Sequence, residues 1–516
     1  MINETAEQLP DDPEALKALL RQQSEQLENK QQRIRLLEEQ ILLLQNKRFG
    51  NSSEKADSSQ INLFNEAETI VDDAIEETSP DTPSTETVTY THRKPAGRKP
   101  LPQDLPRVRV EHDLPEEEKV CRCGCQMQAM GEVISEQLDI IPAKIQVLEH
   151  VRKKYACKAC ESCVKTAALP PQPIPKSNAS PGLLAHIAAA KYQDALPLAR
   201  QEKIFCRIGV ALPRNTLANW MIRSGALIQP LLNLLEDKLR EGPIIQCDET
   251  PLQVLKEPDK PSQSQSYMWV RRGGLPDQKV ILFDYSPSRS GEVAGSLLSG
   301  FRGYLQTDDY AGYHAVGNEK SITHLGCWAH ARRKFIEAKK IAGGKVKNKG
   351  KKHQPSKADI ALNYIGHLYG IERKGQGLTP SERYCLRQKE SLPLLEKIRS
   401  WLDKTLPKVL PKTALGKALG YLHKNWRKLT VYTEDGQLNI DNNTAENAIR
   451  PFVIGRKNWL FSDTPRGAKA SAALYGLIET AKANDLEPYY YLRRVYTDLP
   501  SAQSVEDIEA LLPWNL

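Results

Sequence analysis

The chain has 516 residues, a formal net charge of +8 and ten cysteines. This length exceeds what one hydrophobic core usually organises, so we predict three or more domains in a multidomain α+β protein. Ten cysteines are too few for a disulfide scaffold in a chain of this size. The sequence contains no apolar run of about 18 residues, so it predicts no transmembrane helix. We therefore expect a soluble cytoplasmic protein without a membrane partner, whose positive charge suits a polyanion.

A row of apolar residues with heptad spacing lies near the start of the chain. Its members recur every seven residues and are Leu20, Leu27, Ile34 and Ile41. The row predicts a coiled coil in residues 1–50, and a single amphipathic helix packed on its own protein is the alternative. Residues 51–110 are first acidic and rich in Ser and Thr and then basic, a composition that predicts a disordered linker.

A cluster of five cysteines marks the next segment, residues 111–168. The five are Cys121, Cys123, Cys125, Cys157 and Cys160. The last two form a CxxC pair. The first three lie together in the other knuckle, where two ligands are wanted, so the sequence leaves open which of them bind zinc. Two knuckles joined by strand-like sequence over 133–151 are typical of a zinc ribbon, so we predict a zinc-ribbon-like module with one structural Zn²⁺. Buried or redox-inert thiols are the alternative.

Residues 176–240 have the pattern of three short helices interrupted by Pro197 and Gly209. The predicted helices cover 180–193, 198–208 and 213–222. Their arrangement is similar to a helix-turn-helix, so we predict a helical DNA-binding region in which Arg214 and Asn215 face a groove. A purely structural helical layer is the alternative.

Residues 241–340 predict three strands, a helix and further alternating elements. Apolar runs lead into Asp248 and Asp308, so each acid is expected at a strand end. This order is that of a ribonuclease-H-like α/β catalytic domain, in which the first and fourth strands are neighbours and the two acids would meet. Residues 341–438 then predict an α-helical insertion with a lysine-rich loop, and residues 439–485 return to the domain.

A third acid follows the insertion. A helix over 444–450, capped by Asp441 or Asn443, would carry Glu446 in its first turn, where the helix dipole favours a carboxylate. Residues 486–516 predict a C-terminal helical tail. Basic residues of the types that bind phosphate lie just after the acid: Arg450, Arg456 and Lys457.

Four sequence blocks carry a resemblance to a known family. They are Asp248-Glu249-Thr250, Leu305-Gln306-Thr307-Asp308, the block from Cys327 to Phe335, and the block from Asn442 to Trp459. Together they resemble the DDE transposases of the insertion-sequence-66 (IS66) group, and the resemblance covers essentially the whole chain. Asp309 departs from the pattern, because a glycine is common there in relatives.

The resemblance implies a DNA transposase that cleaves phosphodiester bonds at transposon ends and joins the 3′-hydroxyl ends to target DNA. Asp248, Asp308 and Glu446 would be the catalytic acids and would hold two Mg²⁺ or Mn²⁺ ions. Transposition joins two ends at once, so a homo-oligomer is expected, and the family suggests small accessory proteins of the same element. The candidates for holding DNA phosphates are His330, Arg332, Arg333, Arg450, Arg456 and Lys457, with packing as the alternative for His330.

Two other functions remain open at this stage. One is a DNA-binding regulator whose ribonuclease-H-like domain is inactive, and the other is a nuclease that cuts without strand transfer. All three acids are present, which argues against the regulator. The nuclease would share every residue of the site.

Overall fold

The structure is a computed structural model that describes residues 145–156, 164–343 and 355–516, with nine isolated residues between Lys17 and Glu38. Most of the predicted coiled coil, the linker and the cysteine module therefore lie outside the described residues. The isolated residues are helical, and the heptad residues Leu27 and Ile34 among them are 60% and 55% exposed. The chain divides into two compact units, and residues 78–169 form the smaller one.

The smaller unit contains a short antiparallel pair, β1 (Lys154–Ala156) and β2 (Val164–Thr166). Residues 145–153 have no regular structure, which corrects the described part of the strand predicted over 133–151. Val147 and Val151 are 92% and 79% exposed, so no neighbouring surface covers the apolar side chains of this segment. An alternating pattern without such a surface does not form a stable strand.

Four helices lead into the sheet of the larger unit. They are α1 (Pro181–Tyr192), α2 (Leu198–Arg207), α3 (Arg214–Leu227) and α4 (Gln229–Glu241). The first two agree with the predicted bounds within one residue, and α3 continues past its predicted end. Their buried residues, including Leu184, Leu217 and Leu235, share one hydrophobic core with the sheet. The domain boundary predicted at residue 240 therefore does not separate two hydrophobic cores.

A mixed five-stranded sheet forms the centre of this unit. The strands are β3 (Ile244–Gln253), β4 (Gln265–Leu275), β5 (Gln278–Ser286), β6 (Gly303–Gln306) and β7 (Ile322–Leu325). Their order is β5-β4-β3-β6-β7, with β3, β4 and β5 antiparallel and with β6 and β7 parallel to β3. The predicted first and fourth strands are thus neighbours. The short helices α5 (Gly291–Leu297) and α6 (His314–Gly317) flank β6 in the chain.

Strand β3 corrects the predicted position of Asp248. Its parallel pairing with β6 ends at Gln246↔Gln306, but its antiparallel pairing with β4 continues through Asp248↔Val270 to Gln253. Asp248 therefore lies inside β3, just past the end of the parallel ladder. The apolar run before Asp248 did not predict that β3 continues, because beyond Gln246 the strand is paired with β4 alone.

A second group of helices follows β7. It comprises α7 (Trp328–Gly343), α8 (Lys357–Lys374), α9 (Pro380–Leu386), α10 (Leu392–Thr405), α11 (Ala414–Lys424) and α12 (Trp426–Thr430). Trp328 and Phe335 of α7 pack with Leu368, Leu402 and Leu429 in a second hydrophobic core. Helix α7, which precedes the predicted insertion (341–438), packs in this core with it, and we refer to residues 328–438 together as the helical insertion. Most of its lysine-rich loop lies outside the described residues.

The chain then returns to the sheet through α13 (Asn443–Trp459), followed by α14 (Pro465–Ala483), α15 (Pro488–Asp498) and α16 (Val505–Glu509). Helix α13 runs through Pro451, which corrects its predicted end at residue 450. A proline removes one helical hydrogen bond, but buried residues lie on both sides of it, such as Ile449 and Phe452. Burial of this continuous face holds the helix together across the proline.

Candidate active site

Three separate elements bring acids to one place. β3 carries Asp248, the loop after β6 carries Asp308, and the first turn of α13 carries Glu446. Burial, followed by the charges of Glu249, Glu446 and Asp308, raises the pKa of Asp248 well above its usual value. The charges of these neighbouring acids favour the protonated form of Asp248, and a cation bound among them would relieve the repulsion.

Glu446 is held by a basic partner from the helical insertion. Arg333 of α7 donates to Oε2 of Glu446, and Nη1 of Arg333 lies 3.2 Å from Nε2 of His330. Nδ1 of His330 is 3.7 Å from Oε1 of Glu446, and within the described residues neither of these buried atoms has a hydrogen-bond partner. Burial raises the pKa of Glu446 although Arg333 opposes it. Among the described residues, Oε1 therefore has no hydrogen bond that a bound cation would have to replace.

The imidazole of His330 is neutral. Burial and the neighbouring Arg333 lower its pKa to about 4. Arginine can only donate, so Nε2 accepts and the proton lies on Nδ1, which faces Glu446. Cys327, His330 and Glu446 place one ligand atom each within 4.8 Å of one another, but burial raises the pKa of the Cys327 thiol and its sulfur accepts the backbone N–H of Asn442. We assign Cys327 to packing.

Two further acids flank the site, and the protein itself neutralises them. Glu249 pairs with Arg289 and accepts the hydroxyl of Tyr313 at 2.6 Å. Asp309 contacts Lys428 at 2.7 Å and Lys424 at 3.6 Å, both from the helical insertion, and Nε2 of His314 at 3.1 Å. Within the part of the chain that the structure describes, no Lys, Arg or His pairs with Asp248 or Asp308.

The predicted phosphate-binding residues divide by position. His330 and Arg333 contact Glu446 of the acid site. Arg456 lies along β3, where it donates to Oγ1 of Thr250 at 3.1 Å. Lys457, Arg214 and Asn215 are exposed, and Arg450 is half-buried. Arg332 is only 8% exposed, which leaves little surface for a phosphate, so its predicted DNA contact is not retained.

The cysteines predicted to bind zinc lie outside the described residues. These are Cys121, Cys123, Cys125, Cys157 and Cys160. The strands β1 and β2 flank the second knuckle on its two sides. Their antiparallel pairing places Ala156 opposite Val164.

The sequence did not predict the roles that some residues of the site have in the structure. Arg333 was a candidate phosphate ligand, whereas the structure shows it paired with Glu446. Arg289 and Tyr313, which neutralise Glu249, were not singled out at all. These partners are far apart in the sequence, and no local pattern links them.

Four family models match this chain. One described as "Transposase IS66 family" covers residues 176–470, and "zinc-finger binding domain of transposase IS66" covers 118–161. "Transposase C of IS166 homeodomain", a leucine-zipper model, covers 36–110, and "IS66 C-terminal element" covers 476–514. The zinc-finger match includes all five predicted zinc cysteines and supports a Zn²⁺ site there.

Curated relatives resemble the chain over most of its length. The uncharacterized protein y4jD of Sinorhizobium fredii is 31% identical over 427 residues, which cover 80% of this chain and 81% of the relative. The uncharacterized protein y4hP of the same organism is 32% identical over 437 residues, 83% and 78% of the two chains. Among the described helices, none has the length and apolar character to span a membrane. With more than half of its residues matched by one family model, the chain belongs to the IS66 transposase family.

Proposed function

We propose that this chain is a DDE transposase that cleaves phosphodiester bonds at transposon ends and joins the 3′-hydroxyl ends to target DNA. Asp248, Asp308 and Glu446 would be its catalytic acids. The observation that carries the proposal is that three distant segments place these acids in one electrostatically coupled group. The strand order, with three antiparallel strands followed by two parallel ones, supports a ribonuclease-H-like domain.

The residues present fit a pair of Mg²⁺ or Mn²⁺ ions. Carboxylate oxygens are the ligands that Mg²⁺ prefers, and the two aspartates form no ion pair within the described residues. Within the described residues, Oε1 of Glu446 is buried without a hydrogen-bond partner, which is costly unless a cation or donor meets it. When bound, two such ions supply charge stabilisation at the attacking and leaving oxygens of a phosphodiester.

The protein's own groups orient the acids and the DNA. Arg333 fixes the carboxylate of Glu446 by donating to its Oε2. The tie from Glu249 to Arg289 and Tyr313 fixes the part of β3 next to Asp248. Lys457, which is exposed on α13, is placed to contact a phosphate.

The raised pKa of Asp248 has a consequence for pH. The carboxyl group must lose its proton before it can hold a cation, so cation binding should strengthen as the pH rises. The rise should be steepest above the usual carboxylate range, because burial and the neighbouring acids favour the protonated form.

Assembly and zinc complete the proposal. The exposed heptad residues Leu27 and Ile34 offer a surface on which two copies would pair, as a transposase joining two ends requires. Small accessory proteins of the same element are further candidate partners. The zinc ion would be structural, with Cys157 and Cys160 supplying two ligands and the first knuckle the others.

One assay separates the proposal from its alternatives. Purified protein is incubated with a duplex that carries one end of the element, a target plasmid, and either Mg²⁺ or Mn²⁺. Cleavage that leaves a 3′-hydroxyl, followed by joining to the plasmid, is the expected result. Cleavage without joining would identify a nuclease, and specific binding without cleavage in either metal would identify a regulator.

A further inference from the structure

A buried polar network joins the three elements that carry the acids. Nε2 of Gln246 on β3 donates to Oε1 of Gln306 on β6 at 2.7 Å. The hydroxyl of Thr444 on α13 donates to Oε1 of Gln246. Gln246 and Gln306 are 2% and 0% exposed. The structure thus links β3, β6 and α13 by side chains as well as by packing.

Each member of this network stands two residues before an acid. Gln246 precedes Asp248, Gln306 precedes Asp308, and Thr444 precedes Glu446. Gln246 and Gln306 are also the last pair of the parallel ladder between β3 and β6. The side-chain links therefore begin where the backbone links end, immediately ahead of the acids.

The direction of every hydrogen bond in the network is determined. Arg272 can only donate, and its Nη1 lies 3.1 Å from Gln246, so this glutamine must present Oε1 there. Its Nε2 then faces Gln306, which must present Oε1 in turn. Nε2 of Gln306 donates to the carbonyl of Asn439, at 2.8 Å, on the segment that leads into α13. One orientation of the two amides satisfies all of these contacts.

A buried hydrogen-bond network fixes the relative position of the elements it joins more precisely than an apolar core does. Apolar side chains of similar volume could fill the space between the three elements, but they tolerate small sliding movements. Hydrogen bonds between buried groups of fixed orientation select a single relative position. Carboxylates that share small divalent cations need such precision, because the bonds to Mg²⁺ are about 2.1 Å long and close to octahedral.

We propose that Gln246, Gln306 and Thr444 form a positioning network that sets the spacing of the three carboxylates and thereby the affinity of the site for divalent cations. These residues touch neither the cations nor DNA in this account; they act through the acids that follow them. The inference rests on the proposed function, since it assumes that the acids hold cations.

The test compares Mn²⁺ binding by full-length variants, measured by the loss of the free Mn²⁺ signal in electron paramagnetic resonance. Thr444→Val keeps the shape of the side chain and removes its hydroxyl. We expect it to raise the half-saturating Mn²⁺ concentration by roughly 10- to 100-fold, the range typical when a group supporting a metal ligand is lost. Thr444→Ser, which restores the hydroxyl, should restore wild-type binding. Gln306→Leu should weaken binding in the same way.

Gln201 provides a matched control. It is a buried glutamine of α2, 2% exposed, that donates to the backbone carbonyls of Ile187 and Leu196. Gln201→Leu should lower the thermal midpoint without changing Mn²⁺ affinity. Wild-type Mn²⁺ affinity in folded Thr444→Val, or failure of Thr444→Ser to restore it, would overturn the inference. If Gln306→Leu does not fold, the Thr444 pair still decides.

Asp248→Asn separates this inference from the proposed function. Loss of Mn²⁺ binding in Asp248→Asn together with wild-type binding in Thr444→Val would reject the positioning network alone. Unchanged Mn²⁺ binding in Asp248→Asn would instead reject the proposed metal site. Loss in both variants, with rescue by Thr444→Ser, supports both.

Discussion

The two hydrophobic cores of the larger unit make different contributions to the site. The core around the sheet carries the three acids, on β3, after β6 and on α13. The core of the helical insertion carries cations that pair with acids of the site, namely Arg333 on α7, Lys424 on α11 and Lys428 on α12. One further cation, Arg289, follows β5 on the sheet side and pairs with Glu249. The site therefore lies where the two cores meet, and the insertion is part of its electrostatics.

The described cations of the insertion are distributed unevenly. Among the residues that the structure describes, they pair with Glu446 and Asp309 but not with Asp248, whose pKa is raised by burial and by other acids. A fully neutralised set of acids would have little remaining attraction for metal ions. The uneven pairing leaves negative charge on the sheet side, where the proposed ions would bind. The predictions below alter each side in turn.

The largest effect is expected on the sheet side. Asp248→Asn, Asp308→Asn and Glu446→Gln each remove a proposed metal ligand, so each should reduce end cleavage by about a thousandfold or more, since metal assistance is worth several kcal/mol. DNA binding, measured by fluorescence anisotropy, should stay close to wild type. Residual cleavage near the wild-type rate in any one variant would remove that residue from the acid set.

A smaller effect is expected when the insertion's cation is removed. Arg333→Ala deletes a charged hydrogen bond to Glu446 and should slow cleavage by roughly 10- to 100-fold. Arg333 lowers the pKa of Glu446 against the effect of burial. Its loss raises that pKa further, so the acidic limb of the pH–rate profile should move to higher pH. Arg333→Lys is the matched control, and a profile that shifts equally in both variants would contradict this role.

Asp309 tests the contact between the sheet and the helical insertion through its effect on stability rather than on the cleavage rate. Burial would raise its pKa, but Lys428 together with Asn425 and His314 outweighs burial, and the net pKa is lowered. Asp309→Asn should therefore lower the free energy of unfolding by about 1–2 kcal/mol at neutral pH, where the ion pair is intact. The φ of +69° at this position suits asparagine, so backbone strain should not contribute.

Acid should erase that difference. A carboxyl whose folded pKa is depressed stabilises the protein above its unfolded pKa, and the contribution is lost as the pH falls through the folded value. The unfolding curves of wild type and Asp309→Asn should thus converge at low pH. We expect the cleavage rate of the folded variant to remain close to wild type. A large loss of rate at unchanged stability would place Asp309 among the catalytic acids.

The smallest effect on chemistry is expected far from both cores. Deleting residues 1–47 removes the predicted coiled coil, including the exposed Leu27 and Ile34. Nicking of a single end should be unchanged, whereas pairing of two ends should weaken. Light scattering with and without end DNA measures the change in mass. Equal masses and undiminished joining would assign the heptad helix to a companion protein instead.

Much of the fold followed from local patterns. Helices α1 and α2 lie within one residue of their predicted bounds, and three strands followed by a helix and further alternating elements are observed as predicted. The errors occurred where a neighbour decides the outcome. Strand β3 continues because β4 supports it, and α13 continues through Pro451 because its buried face does.

Local sequence pointed to the three acids but not to their supporting contacts. Asp248 and Asp308 follow apolar runs and Glu446 lies in the first turn of a predicted helix, and their catalytic role stays a prediction. The pairing of Arg333 with Glu446 and the bond between Gln246 and Gln306 join residues that are distant in the chain. Only the folded arrangement brings such partners together, so no local pattern could have named them.

The central claim is that three distant segments form one metal site, and protein cleavage by bound iron tests it most directly. Fe²⁺ in the site, with ascorbate and peroxide, generates hydroxyl radicals that cut the backbone nearby. The account predicts cuts near residues 248, 308 and 446 together, all suppressed by excess Mg²⁺ and all absent in Asp248→Asn. Cuts near only one of the three segments, or cuts that persist in Asp248→Asn, would contradict it.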